Sequence, residues 1–377
     1  MSEQDYAPFM REALALAQEG RFTACPNPTV GAVLVRDGRI VAGGFHRAVG
    51  DDHAEVACLK NAAEGSRETV GATLVVTLEP CKHCGKTPPC TDAILAAGIA
   101  RVVVGLADPN PLAGGGSVRL REAGVEVIEG VLEQECRDLV ADFLVWQETD
   151  RPYVILKMAA TLDGRIAARN GQSRWIGSAA SRRKVQQWRA GVGHCGGVVL
   201  VGGGTFRADN PRLTARDASV AGPQPLACVV TSCLPRADDA AFLPAERPLQ
   251  TIFFTSPAAA GSVEADRLRR RGVRVLDYGY GPHDGADFVA LMRTLRQETG
   301  SPYVLCEGGG RLALSLLEAD MADEFRLHLA PSILGDNEAF PLFTGRAPLG
   351  MDEALRMRVS ETSLCGGDVH LVLRPVV

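Results

Sequence analysis

A membrane span is the first thing this chain lacks. Its 377 residues contain no apolar run of about 18 residues, so no transmembrane helix is expected. The opening residues Met1-Ser2-Glu3-Gln4-Asp5 are acidic and do not read as a signal peptide. A disulfide framework is also missing. The eleven cysteines are odd in number and scattered, three in one loop and others, such as Cys58, Cys228 and Cys306, in apolar runs. That usage suits a reducing cytoplasm, where most of them pack as small hydrophobes. A basic footprint is absent from the first half, where residues 1–148 carry 13 Lys and Arg against 21 Asp and Glu. Residues 149–377 carry 27 against 24, which leaves −5 overall. A protein acting on nucleic acid usually carries a basic face, so a small-molecule substrate is favoured. No internal repeat occurs, and no clear dinucleotide fingerprint of the G-x-G-x-x-G kind with its following acid. What remains is 46% hydrophobic, enough for sizeable cores, at a length that suggests two or three domains.

The richest chemistry lies near residue 50 and in residues 80–90. His53-Ala54-Glu55 precedes Pro80-Cys81-Lys82-His83-Cys84-Gly85-Lys86-Thr87-Pro88-Pro89-Cys90. One His, two thiolates and a Glu two residues after the His form the layout of a zinc hydrolytic deaminase. A catalytic zinc takes three protein ligands and keeps its fourth position for water. Glu55 is then the proton shuttle to the leaving amine. The spacing leaves two ligand sets open, His53 with Cys81 and Cys84, or His53 with Cys81 and Cys90. A closed structural site using all three cysteines and His53 has no need of Glu55. Residues 54–63 and 91–97 read as helices, so His53 and Cys90 fall at helix starts, which stabilise a thiolate.

Elements alternate along both halves. In the first, residues 9–17 form an amphipathic helix, 30–35 and 39–44 flank the hairpin signal Asp37-Gly38, and 73–78, 101–106 and 125–130 read as strands. The polar segment Gln147-Glu148-Thr149-Asp150-Arg151-Pro152 marks a domain boundary, giving 1–148 and 149–377. In the second half, strands are expected at 153–159, 197–201, 227–231, 251–255, 273–276 and 303–306, then 325–330 and 369–373 as an antiparallel edge. Gly202-Gly203-Gly204-Thr205 and Glu307-Gly308-Gly309-Gly310-Arg311 each follow an apolar strand and open a helix. Glycine there lets backbone N–H groups approach a phosphate, which the helix dipole also favours.

The run Thr77-Leu78-Glu79-Pro80-Cys81, with His83, Gly85, Lys86 and Thr87-Pro88-Pro89-Cys90, resembles the bifunctional deaminase–reductase family of riboflavin biosynthesis. The second half resembles that family's reductase domain through Leu156-Lys157, Ala159, Leu162-Asp163-Gly164-Arg165, Ser173-Arg174-Trp175-Ile176, Thr205, Ala208-Asp209-Asn210-Pro211, Leu213-Thr214 and Glu307-Gly308-Gly309. Together the halves cover nearly the whole chain, in the family's bacterial order. The resemblance implies an α/β protein with an N-terminal cytidine-deaminase-like domain and a C-terminal dihydrofolate-reductase-like domain.

It further implies Zn2+ on His53, Cys81 and Cys90, with Cys84 a departure because that position is usually not Cys. Glu55 is implied as the catalytic proton carrier. Asn27, Lys86, Thr87, Asp108 and Asn110 are candidates for the deaminase substrate, with His46 behind them. For the reductase, Ala159, Trp175, Thr205, Asp209, Ser232, Gly309, Gly310, Arg311, Leu312, Ala313, Leu314 and Ser315 are implied as NADPH contacts. Arg311 departs from the family's smaller or neutral residue. Ser173, Arg189, Leu213, Arg216 and Glu307 are implied as substrate contacts, the arginines for its phosphate. Lys157 and Asp163 are possible acid–base groups. The implied reactions are deamination of 2,5-diamino-6-(5-phosphoribosylamino)pyrimidin-4-one and NADPH-dependent reduction of 5-amino-6-(5-phosphoribosylamino)uracil. A cytoplasmic homo-oligomer is expected, with no nucleic-acid or membrane partner.

Overall fold

Asp37 and Gly38 take φ of 48° and 71°, the left-handed pair that a two-residue hairpin turn needs. They join β1 (Gly31–Arg36) to β2 (Arg39–Phe45) in antiparallel pairing. The structure, a computed structural model, describes residues 3–83, 88–110, 114–216, 222–236, 239–279, 286–347 and 350–376. The chain divides into two units, Met1–Thr149 and Asp150–Val377.

In the first unit, β3 (Thr73–Leu78) pairs antiparallel with β1, and β4 (Arg101–Leu106) and β5 (Glu126–Ile128) add in parallel. The sheet order is β2-β1-β3-β4-β5. Around it lie α1 (Glu3–Ala17), α2 (Ala54–Glu64), α3 (Cys90–Ala96), α4 (Gly116–Glu122), α5 (Glu133–Leu139) and α6 (Ala141–Glu148). Ala32 to Val35 and Leu74 to Leu78 are buried without alternation, as in strands covered on both faces. Gly43 and Gly44 explain how two helices come so close. A Cβ on Gly43 would stand 2.6 Å from Leu16 of α1, and one on Gly44 2.4 Å from the Cys58 backbone of α2. Successive strand residues face opposite sides, so this glycine pair seats one helix on each face. The second of these contacts presses α2, with His53 and Glu55 at its start, onto the sheet.

The second unit is built on a nine-stranded sheet of order β11-β10-β9-β8-β12-β6-β13-β16-β15. Its strands are β6 (Tyr153–Thr161), β8 (Val198–Gly202), β9 (Leu226–Val230), β10 (Thr251–Thr255), β11 (Arg274–Asp277), β12 (Tyr303–Cys306), β13 (Glu324–Ala330), β15 (Met357–Cys365) and β16 (Asp368–Pro375); β7 (Arg165–Ala167) and β14 (Phe340–Pro341) pair separately. Its helices are α7 (Ala179–His194), α8 (Gly203–Asp209), α9 (Phe242–Glu246), α10 (Pro257–Ala260), α11 (Val263–Arg270), α12 (Phe288–Thr299) and α13 (Gly310–Glu318). From β11 to β13 the strands are parallel, and β16 and β15 close the sheet antiparallel. Ligands bind at the carboxyl ends of such parallel strands. β13 and β16 pair antiparallel as the sequence led us to expect, but the edge is β15. Its residues are mostly exposed and polar, so the apolar alternation that marks a half-buried strand is missing from it.

Candidate functional site

In the first unit the carboxyl end of β3 and the starts of α2 and α3 meet. His53 is the N-cap of α2, Glu55 lies in its first turn, and Cys90 opens α3. The donor atoms of His53, Cys81 and Cys90 lie within 4.8 Å of one another. His53 Nδ1 is 3.2 Å from Cys90 Sγ and 3.7 Å from Cys81 Sγ, and the Cys90 backbone N–H donates to Cys81 Sγ at 3.4 Å. Zinc bound tetrahedrally at about 2.3 Å from sulfur and about 2.1 Å from nitrogen holds such donors roughly 3.5 Å apart. The three groups are also coupled electrostatically. The hydrogen bond from Cys90, the largest influence, holds the Cys81 thiol down to about 4, and the same contact pushes Cys90 up. The hydrogen bond with Cys81 in turn raises His53. One imidazole nitrogen and two cysteine sulfurs form a donor set that suits zinc. Cys84, Lys86 and Thr87 lie outside the described residues.

Glu55 is 3% exposed. Burial, its largest influence, pushes it up to about 7 against the opposing pull of its own backbone amide and of His53. Beside it opens a cleft of about 470 Å³, lined by Asn27, His46, His53, Glu55, Asp108 and Asn110 among others. His46 binds the Asp52 carbonyl through Nδ1 at 3.0 Å, and its Nε2 meets Asn27 Nδ2 at 3.0 Å. A carbonyl only accepts, so Nδ1 carries the proton and Nε2 accepts from the Asn27 amide. Burial lowers the His46 pKa, which keeps that neutral tautomer. His46 therefore sets which way Asn27 presents its amide. Asp108, raised mainly by burial, accepts from the Asn110 backbone N–H at 2.9 Å. Phe143 and Gln147 also line the cleft, one helical turn apart on α6. Neither was a sequence candidate; Phe143 reads there as any core aromatic and Gln147 as a boundary residue.

In the second unit, most of the expected reductase residues gather along the carboxyl ends of neighbouring strands. On β6 the partly exposed residues are Lys157 and Ala159, two apart on one face, among buried neighbours. Thr205 follows β8, Ser232 follows β9, and Glu307 to Gly310 follow β12. The starts of α8 and α13 have no side-chain cap, so their first N–H groups are available to an anion. That is the feature NADPH phosphates need. Within the run 309–315, the Ala313 N–H already bonds Gly309, and the Ala313 and Leu314 side chains are buried. Leu312 is buried as well, while Arg311 is exposed and Ser315 partly so. Asp209, at the far end of α8, is exposed. Trp175 is 70% exposed with the Arg182 guanidinium 4.3 Å from its ring centroid, so it is a surface platform and not a core aromatic.

The two arginines differ. Arg189 is committed to both oxygens of Glu307 and to the Thr214 carbonyl, whereas among the described residues Arg216 bonds through its backbone N–H, to Gln186. Arg216, though largely exposed, is lowered by partial desolvation first and then by nearby Arg189, Arg212 and Arg174. That crowd of cations suits an anion. Burial would raise Glu307, but Arg189, then Lys157 and Arg216, hold it below its ordinary value. Burial lowers Lys157. Leu213 is buried with φ of 51°, so it offers backbone rather than side chain, and Ser173 lies partly exposed in the segment before Trp175. Asp163 does not join this group as an acid or base. Its carboxylate accepts from Thr161 and from the Leu334 and Gly335 backbones, holding it down to about 2. It is a turn clamp.

Comparison with known proteins matches both halves. Residues 152–371 match the family described as the RibD C-terminal domain, and residues 3–106 match the cytidine and deoxycytidylate deaminase zinc-binding region. The riboflavin biosynthesis protein RibD of Escherichia coli (strain K12) is 40% identical over 380 residues, covering 97% of this chain and 98% of its own. That of Actinobacillus pleuropneumoniae is 37% identical over 381 residues, covering 100% and 97%. A crystal structure of a diaminohydroxyphosphoribosylaminopyrimidine deaminase/5-amino-6-(5-phosphoribosylamino)uracil reductase from Thermotoga maritima aligns with a TM-score of 0.72 at 34% identity, covering 99% of each chain.

Proposed function

The chain belongs to the RibD family, and on that premise we propose how its two halves divide the work. It is the bifunctional deaminase and reductase of riboflavin biosynthesis, with Zn2+ and NADPH as cofactors. Residues 1–148 are the deaminase domain, acting on 2,5-diamino-6-(5-phosphoribosylamino)pyrimidin-4-one. Residues 149–377 are the reductase domain, turning the ribosyl group of 5-amino-6-(5-phosphoribosylamino)uracil into a ribityl chain.

His53, Cys81 and Cys90 hold the zinc. When bound, zinc supplies the Lewis acidity that makes a water nucleophilic near neutral pH. Glu55, poised near 7, takes a proton from the attacking water and delivers it to the departing amine. Asn27, Asp108 and Asn110 orient the pyrimidine and its sugar, and the family resemblance adds Lys86 and Thr87 as substrate contacts. In the second half, NADPH supplies the hydride, and the protein supplies placement and charge. The starts of α8 and α13 receive its phosphates, with Trp175 as a flat support and Ala159, Thr205, Asp209 and Ser232 alongside. Arg216 takes the substrate phosphate, Ser173 and Leu213 the sugar, and Arg189 holds Glu307 in place. Lys157, facing Glu307, polarises the acceptor carbon. The enzyme acts in the cytoplasm on a small phosphorylated pyrimidine and works as a homo-oligomer. Among the described residues no helix is long and apolar enough to cross a membrane.

The observation that carries this reading is the convergence of one imidazole and two thiols around a buried carboxyl group. The test follows ammonia release and NADPH oxidation separately, in wild type and Glu55→Gln. Both signals in wild type, both lost in the variant, and oxidation restored by the deaminated intermediate would establish two sites acting in order. A zinc-loaded wild type that releases no ammonia would overturn the deaminase assignment.

A further inference from the structure

Glu79 has no place in the chemistry above, yet its carboxylate is among the most heavily used in the first unit. It is 8% exposed and lines the same cleft as Glu55. It stands directly after β3, and its backbone N–H continues the parallel pairing by donating to Leu106 at the end of β4. From there its side chain gathers three backbone N–H groups. Oε2 accepts from Asp108 at 3.1 Å, and Oε1 accepts from Gly115 at 3.0 Å and from Ser117 at 2.9 Å. Those donors bracket the segment that brings Asp108 and Asn110 into the cleft: one at its entry, two at its exit into α4.

Packing tightens the bracket. A Cβ on Gly116 would lie 1.8 Å from the Pro80 carbonyl, so only glycine lets the exit of the segment close onto the Glu79-Pro80 backbone. The Asp108 side chain is then occupied locally by the Asn110 N–H, which ties the second cleft residue to the first. Cys81 follows Glu79 by two residues. One short stretch therefore carries a zinc donor and the anchor of Asp108, which lines the same cleft.

We propose that Glu79 is a positioning residue of the deaminase site, a charged anchor that holds Asp108 and Asn110 at a set distance from the zinc donors. The inference rests on the deaminase reading above. A carboxylate is required because all three partners are donors; an amide at the same place accepts through one oxygen only and turns an N–H2 group toward N–H. A residue that served α4 alone would satisfy Gly115 and Ser117 and leave Asp108 out.

The test uses the full-length, zinc-loaded protein and reads ammonia release from the diaminopyrimidine phosphate, zinc content, and reductase rate on the deaminated intermediate. Glu79→Gln is expected to raise KM for deamination about ten- to hundredfold, the range for losing a hydrogen bond to a charged group, with zinc content and reductase rate unchanged. Glu79→Asp, which keeps the charge, should recover much of the loss. In a cycle with Asp108→Ala, the double variant should be little worse than Asp108→Ala alone, because the two act as one unit. Additive losses, or an unchanged KM in a zinc-loaded Glu79→Gln, would overturn the proposal. If Glu79→Gln fails to hold zinc, the cycle with Glu79→Asp decides: a residual rise in KM that does not add to that of Asp108→Ala upholds the proposal, and additive losses reduce Glu79 to a structural cap and overturn it. A wild type that releases no ammonia while its reductase works would instead defeat the deaminase reading itself.

Discussion

Arg189 grips Glu307 with two prongs, Nε and Nη2 donating to the two carboxylate oxygens at 2.6 and 2.7 Å. Each side chain is 12% exposed. A planar fork on a carboxylate is a geometry that a lysine cannot copy. Removing one partner strands the other as a buried charge.

Arg189→Ala should therefore destabilise the second unit by about 3–5 kcal/mol and abolish reduction, while ammonia release from the first unit persists. Arg189→Lys should also lose most reductase activity. Thermal unfolding with separate assays of the two reactions checks both outcomes.

Arg216 should behave differently. Its side chain lies exposed beside other arginines, so Arg216→Ala should leave the melting temperature nearly unchanged and raise the reductase KM about tenfold or more, in line with a lost charge-assisted contact. A substrate analogue without phosphate should show no difference between wild type and variant. An equal loss on both substrates would mean that the phosphate is held elsewhere.

The zinc ligands separate by mutation. Cys81→Ser and Cys90→Ser should lose zinc and ammonia release, whereas Cys84→Ser should keep both. Metal analysis after dialysis, alongside the ammonia assay, reads the result. Loss of zinc from Cys84→Ser with retention in Cys90→Ser would assign the shorter Cys-x-x-Cys pair instead.

His328 should make the second unit acid-sensitive. It is 2% exposed and its ring stacks on His370 at 3.6 Å between centroids, with no hydrogen-bond partner for Nε2 among the described residues. Burial first, then Lys157, His370 and Arg326, lowers it from 6.5 to about 2. The folded state thus binds fewer protons than the unfolded state between those values, and stability must rise with pH across that window. It is fully retained above about pH 6.5 and falls progressively below it. His328→Gln should flatten the fall in melting temperature between pH 7 and pH 5. An identical slope in the variant would assign the acid sensitivity to other groups.

Much of this was legible because the signals are local. His53, Glu55 and the cysteine-rich loop stand out by residue type and spacing, with the choice of Cys90 over Cys84 resting on the family resemblance, and the buried strands stand out by unbroken apolar runs such as Val198 to Val201. Asp37-Gly38 marks its turn because few residues accept positive φ twice in succession. Strand β15 escaped because it is an exposed polar edge. Asp163 looked like a possible acid or base because a carboxylate near a strand end carries no sign of its partners; three donors from two separate segments make it a clamp.

By itself the sequence determined the chemistry on offer: one His, a Glu two residues on, a cysteine-rich loop, and two glycine turns each between a strand and a helix. It also determined the order of the two halves, since elements and family motifs are read along the chain. Tertiary structure decided which groups share a site. The Nδ1 atom of His53 meets Cys90 across 37 residues, Asn27 meets His46 across 19, and Arg189 meets Glu307 across 118. Such pairs leave no periodic trace, because they arise where parallel strands end together and helices start. Burial followed from the same packing, and it is burial that moves Glu55 to about 7 and His328 to about 2. Those values belong to the folded chain and to no segment of it.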